Sequence, residues 1–240
     1  MFCARRNWVS ILQSCILVMK YTCLPLLFVL SGCLADLFTE GYGFDKSSRD
    51  GMELLADDDR IRVYGRPDDG FQDDVSEILL ISRQAMVGYD QFLGQRLETP
   101  ISIYLHSRES YEAARGRLAS GGVAHRDEQA TDLMWLSDDW SRRTVVHEIA
   151  HLYDHAVYGG SLRFFLTEGF AEYLRTNVDF DEPHQHLSSI REPPYFTPFD
   201  IHRLLIGHEW FQDRGQQTYL VAGCFVNVLV DQIGIEAYAQ

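Results

Sequence analysis

The chain has 240 residues, with 35 Asp and Glu against 21 Lys and Arg, a formal net charge of −14. Such an acidic surface repels nucleic-acid phosphates and anionic lipid headgroups, so neither is an expected partner; the charge itself serves solubility. The length, with 46% hydrophobic residues, allows one domain with a substantial core.

The first 32 residues contain Arg5, Arg6 and Lys20 but no Asp or Glu, and hold two apolar blocks, Val9 to Met19 and Leu24 to Leu30. They read as targeting sequence. Leu30-Ser31-Gly32-Cys33, small residues before a Cys after an apolar run, resembles the lipobox of bacterial lipoproteins. That resemblance implies export, acylation of Cys33 as the mature N-terminus, and attachment to the membrane of a bacterial cell envelope through lipid alone. The segment from Met19-Lys20 already has the form of a complete short signal, which makes Met19 the expected start. A transmembrane anchor is the weaker reading, because Lys20 and Pro25 break the run below the roughly 20 apolar residues a span needs. Loss of residues 1 to 32 leaves 18 basic against 35 acidic residues, a net charge of −17, and two cysteines, Cys33 and Cys224. No disulfide framework is then expected, and Cys224, within an apolar helical pattern, reads as a core thiol.

Residues 33 to 56 are polar, Gly-bearing and without period, and read as a tether; 57 to 240 form the predicted domain. Arg60 to Tyr64 alternate as a first strand, ended by Gly65-Arg66-Pro67. Val75, Ile78, Leu79, Ser82, Ala85, Met86, Tyr89 and Phe92 recur at helical spacing, predicting a long amphipathic helix that packs on the core. A second strand spans Ile101 to Leu105, and a short helix Ser110 to Leu118. A Gly121-Gly122 loop follows, with His125 in polar sequence and expected to be exposed rather than a metal ligand. Thr131 to Leu136 reads as a third strand.

Thr144 to His155 contains His147-Glu148-Ile149-Ala150-His151. Side chains four apart on a helix lie about 40° from each other around the axis and about 6 Å along it, so both imidazoles can grip one ion. Neutral imidazole is a preferred zinc ligand, and a Glu beside the first His can reach a metal-bound water and take its proton. Nine His and fourteen Glu in this length would produce roughly 0.02 such matches by chance. Catalytic zinc usually has a third protein ligand. His155 lies two turns from His147, about 12 Å along the axis, too far to share the ion. It is expected at the surface or behind a ligand. Glu168 and Glu172, four apart on the helical run Arg163 to Arg175, are better placed: a helix packed on the first could aim both carboxylates at the histidines.

The H-E-x-x-H, a gap of sixteen residues, and the Glu of FLTEGFAEYL resemble the gluzincin metallopeptidases. The E-G-F-A segment is similar to that of aminopeptidase N-like enzymes, and the short chain to the bacterial peptidase MA-like group. The resemblance covers roughly residues 130 to 235, with a gap shorter than the usual eighteen or so. It implies an α+β, zincin-like domain: a small mixed sheet, an active-site helix and a mostly helical C-terminal part. It implies one Zn²⁺ per chain on His147, His151 and Glu168, with Glu172 orienting a ligand His and Glu148 as general base for hydrolysis of peptide or protein substrates. It also implies that Thr131 to Leu136 is the sheet edge on which an extended substrate pairs.

Residues 177 to 198 have no period and read as a functional loop, with His184 and His186 expected to be exposed. Asp200 to Ile206 reads as a short helix. Gln217 to Ile233 is a strongly apolar helix expected behind the zinc helix, with Tyr219 near its start. Tyr219 is the candidate donor to the oxyanion, against an ordinary packing role. His202 and His208 are weaker rivals, and Tyr153 and Tyr158 lie in the zinc helix itself. Two other functions fit the sequence less well: a catalytically silent binding lipoprotein on the same fold, and a hydrolase of a non-peptide amide.

Overall fold

In the computed structural model the described residues are 44–115, 121–159, 164–178 and 216–238. The predicted signal, Cys33, the 179–215 region with His184, His186, His202 and His208, and the Asp200 to Ile206 helix lie outside them. Among the described residues the chain is mixed α and β. It contains strands β1 (Glu53–Asp57), β2 (Ile61–Gly65), β3 (Ile101–His106), β4 (Gly122–His125) and β5 (Ala130–Met134). The helices are α1 (Val75–Leu93), α2 (Arg108–Arg115), α3 (Asp139–Tyr158), α4 (Phe164–Val178), α5 (Gln216–Ile233) and α6 (Ile235–Tyr238). None of these helices is long and apolar enough to cross a membrane.

The strands form one sheet in the order β1-β2-β3-β5-β4, with β2, β3 and β5 parallel and both outer strands antiparallel. Period-2 alternation turns Ile61, Val63, Ile101, Ile103, Leu105 and Leu133 to one face, where all are essentially buried against α1 and α3. Each such side chain contributes roughly 1.5–3 kcal/mol by leaving water. α1 faces them with Val75, Ile78, Ala85, Met86 and Tyr89, the stripe expected from its spacing.

Two sequence expectations fail at the edges of this sheet. Residues 33 to 56 are not tether throughout: Glu53–Asp57 pairs with β2, and Phe44 is buried against Tyr111. The turn at Asp58 explains the hairpin, since its Oδ1 accepts from the backbone of Arg60 at 2.8 Å and of Ile61 at 2.7 Å. The strand leaves little trace in the sequence because its side chains are half-exposed on an edge and carry no alternation. At the opposite side, Thr131 to Leu136 is not the edge. β5 lies between β3 and β4, so among the described residues the outermost strand there is Gly122–His125, in place of the predicted loop.

His125 accordingly lies on a strand and not in an exposed loop. Its Nε2 is 2.7 Å from Asp132 Oδ2, while His106 Nε2 is 2.7 Å from Oδ1. Arg49 Nη2 approaches Oδ2 at 2.5 Å, and its guanidinium lies 4.0 Å above the Tyr104 ring. Burial works to raise the pKa of Asp132, but His106, His125 and Arg49 overcome it and hold the carboxyl well below the usual range. This buried carboxylate straps residues 44–50 onto the sheet face opposite the core.

The C-terminal helix also packs differently from expectation. α5 lies along α4 and not behind α3. Glycines permit the approach: a Cβ on Gly169 would fall 2.6 Å from Ala222 O, and one on Gly223 2.8 Å from the Glu172 Cβ.

Candidate metal centre

α3 begins where Asp138 caps it, its Oδ1 accepting from Ser141 N at 2.8 Å, worth about 1 kcal/mol. The helix is then pinned to α1. Tyr89 donates to Val146 O at 3.0 Å, and buried Tyr153 donates to Met86 O at 3.1 Å and to Asp90 Oδ1 at 2.5 Å. Arg60 Nη1 closes this network on Asp90 Oδ2 at 2.7 Å. Tyr153 is thereby committed to packing, and Tyr158 packs edge-on against Phe170 with ring centroids 5.4 Å apart. The Tyr153 hydroxyl is therefore taken up by Met86 and Asp90.

With α3 held in this way, α4 lies across it and brings two carboxylates to the histidines. His147 Nε2 is 3.0 Å from Glu168 Oε2 and 3.1 Å from His151 Nε2, and His151 Nε2 is 3.4 Å from Glu168 Oε2. Three donor atoms thus converge, and His147, His151 and Glu168 could hold a metal ion. Ligands at 2.0–2.1 Å from a tetrahedral ion stand about 3.3 Å apart, a spacing these three edges approach. His155 is not part of the group. Glu172, one turn beyond Glu168, meets His147 from behind: its Oε1 is 2.9 Å from Nδ1, and its Oε2 accepts from Arg175 Nη2 at 2.5 Å.

The buried groups of the site strongly perturb one another. Burial works to lower the pKa of His147, but Glu168 and Glu172 outweigh it and push it up to about 10. Burial likewise opposes ionisation of Glu168, yet His151 and His147 hold its pKa well below the usual range. With its pKa raised in this way His147 holds a proton against these carboxylates, and a divalent ion bound at Nε2 would displace it. The apparent affinity for such an ion should therefore rise about tenfold per pH unit from pH 7 to 9, where an isolated imidazole would already have reached its plateau. Competition with a chromogenic chelator at fixed pH values measures this; an affinity flat above pH 7 would remove the proposed proton exchange.

Glu148 belongs to the site without belonging to the donor set. It is only 6% exposed, and its carboxylate lies against the start of β4. A Cβ at Gly122 would fall 2.4 Å from Glu148 Cγ and 2.7 Å from Oε1, so the strand can approach this closely only as glycine. Tyr219, on α5, stacks edge-on to His147 with ring centroids 5.9 Å apart. Burial and the charges of Glu168 and Glu148 raise the pKa of its phenol, which keeps it a proton-bearing donor beside the donor triad. Cys224 is half-buried on the same helix, and burial and Glu172 push its thiol up to about 11. It is not a ligand of this group.

Sequence reading missed the strand beside Glu148. Gly122–His125 is four residues long with only Val123 and Ala124 as apolar positions, too short for a period. It also missed Arg115, at the end of α2, whose Nη1 donates to Gly122 O at 2.9 Å. No protein-family model matches the chain, and no curated protein matches it.

Proposed function

We propose that the chain is a zinc metallopeptidase with a zincin-like fold. The observation that carries this reading is the convergence of His147, His151 and Glu168 from two helices, with Glu148 beside them and outside the donor set. Two imidazoles and one carboxylate are the donor set of many hydrolytic zinc sites, in which an open position remains. Zinc held there would polarise a carbonyl and bring the pKa of water near 7.

The chain's own groups account for the remaining steps. Glu148 takes the proton of the attacking water and passes it to the leaving amine. Tyr219, kept protonated by its surroundings, donates to the developing oxyanion. Glu172 fixes the orientation of His147 through Nδ1 and is itself anchored by Arg175. A retained base argues against a purely structural metal site, where none is needed.

β4 supplies the substrate track. Met134 N donates to Gly121 O at 2.8 Å, and the register pairs Gly122 with Leu133. Antiparallel alternation therefore turns Val123 and His125 toward β5, and the N–H and C=O of Gly122 and Ala124 outward. An extended peptide adding here would bond to Ala124. Ala124→Pro removes an outward donor and no ladder bond, so the domain should fold while kcat/KM falls about tenfold or more. Steady-state kinetics on the variant tests this, and unchanged kinetics would discard β4 as the track.

The decisive experiment is incubation of the purified mature domain with an unbiased peptide library, with and without chelator. Zinc-restored, chelator-sensitive cleavage is expected; an intact library would defeat the peptidase reading. At the N-terminus, we propose from Leu30-Ser31-Gly32-Cys33 that Cys33 carries the lipid that anchors the exported enzyme. The intact mass should include acyl chains that Cys33→Ser lacks, and identical membrane recovery of both forms would exclude this.

A further inference from the structure

Arg115 is a half-buried cation beside the site, and among the described residues no carboxylate lies within salt-bridge distance of it. Arg49, Arg60, Arg62, Arg83, Arg142 and Arg175 all have such partners. Arg66 is likewise held by carbonyl acceptors alone, Ser48 O and Asp50 O, so what sets Arg115 apart is its place beside the site. Its Nη1 donates to Gly122 O at 2.9 Å and contacts the Tyr111 hydroxyl at 3.4 Å, leaving Nε and Nη2 uncommitted. Gly122 is the residue against which Glu148 packs, and the positive charge of Arg115 is felt at the Tyr219 hydroxyl. The guanidinium thus stands at one end of the β4 track, bonded to the residue against which the proposed base packs.

Direction along the track tells which end this is. A peptide added antiparallel to β4, the arrangement β4 already has with β5, runs from His125 toward Gly122. Its C-terminal side therefore arrives at Arg115. Because Arg115 already caps the outward carbonyl of Gly122, the strand offers no further acceptor there, and the ligand's backbone pairing ends.

We propose that Arg115 is the specificity-determining residue of this site, binding a carboxylate on the C-terminal side of the peptide. The α-carboxylate of a free C-terminus or an Asp or Glu side chain would satisfy it. A planar guanidinium with two uncommitted N–H groups matches a carboxylate's two oxygens. The inference rests on the peptidase reading for the meaning of the ligand, but its test does not require turnover.

The probes are N-acetyl tripeptides ending in Ala, Phe, Lys or Glu, each as the free acid and as the C-terminal amide. Binding is measured by equilibrium ultrafiltration and mass spectrometry on the zinc-loaded Glu148→Gln chain, with and without Arg115→Gln. Free acids should bind about 10- to 100-fold tighter than the amides, the scale of a charged hydrogen bond, and Arg115→Gln should abolish the difference. Arg115→Lys, which keeps charge but not the fork, should retain part of it, and matched melting curves establish that each variant is folded. Among the amides, tight binding of the Glu peptide alone, matched by its free acid, would identify the side chain as the carboxylate's source. Equal binding of acids and amides, no binding of any free acid, or discrimination that survives Arg115→Gln would overturn the proposal. Cleavage by the unmutated chain, scored separately, decides only the peptidase reading.

Discussion

Glu148→Gln should keep one zinc per chain while turnover falls by roughly 10²-fold or more, the usual scale of a general base. The substitution is nearly isosteric, which matters because the side chain is 6% exposed and wedged against Gly122. A shorter residue would open a void under β4 and confuse lost chemistry with lost packing. The amide fills the same space but cannot accept a proton from water. Its effect should fall on kcat rather than KM, since the residue acts on the attacking water and not on the peptide. Elemental mass spectrometry gives the metal content, and kinetics on a peptide from the library screen gives the rate. Wild-type turnover in this variant would make the assigned role untenable, whereas loss of zinc would place Glu148 among the ligands.

Glu168→Ala should lose the metal. It removes one of three converging donors and leaves His147 and His151 as a two-ligand site. The comparison with Glu172→Ala makes the result diagnostic. Glu172 meets the donor triad only at the back of His147, through Nδ1, and loss of such a supporting partner typically weakens metal binding by about 10–100-fold. Loss of Glu168 should exceed that range, with zinc absent from the protein after gel filtration. Chelator competition on both variants, each checked for folding by its melting curve, ranks the two carboxylates. If Glu172→Ala is the more damaged, the roles of the two residues are reversed, and wild-type affinity in Glu168→Ala would dismiss the carboxylate ligand.

The legible parts of this protein are those whose geometry is local. α1 was readable because its apolar residues repeat with the helical period, and α3 because two histidines four apart on any helix face the same way. Contiguous helical sequence likewise located α4 and α5. The strands β2, β3 and β5 showed as short apolar or alternating runs. β1 and β4 carried no such signal: an edge strand exposes half of its side chains, so its sequence need not alternate strongly. The glycine of β4 is a loop signal in the sequence, yet it is the residue that permits the approach to Glu148.

What the sequence determined by itself is the pair of imidazoles with a carboxylate between them, and the presence of Glu168 and Glu172 on a neighbouring helical face. Those follow from spacing along one chain segment. Tertiary structure alone decided that the Glu168 carboxylate meets both histidines while Glu172 meets only Nδ1 of His147. It also decided that β4 and not β5 is the outer strand, that His125 turns to Asp132, and that Arg115 reaches Gly122. Each of these depends on the crossing of α4 over α3 or on the order of strands in the sheet. Such contacts join residues on different elements, some of them only seven positions apart, and no periodicity within a single segment encodes them.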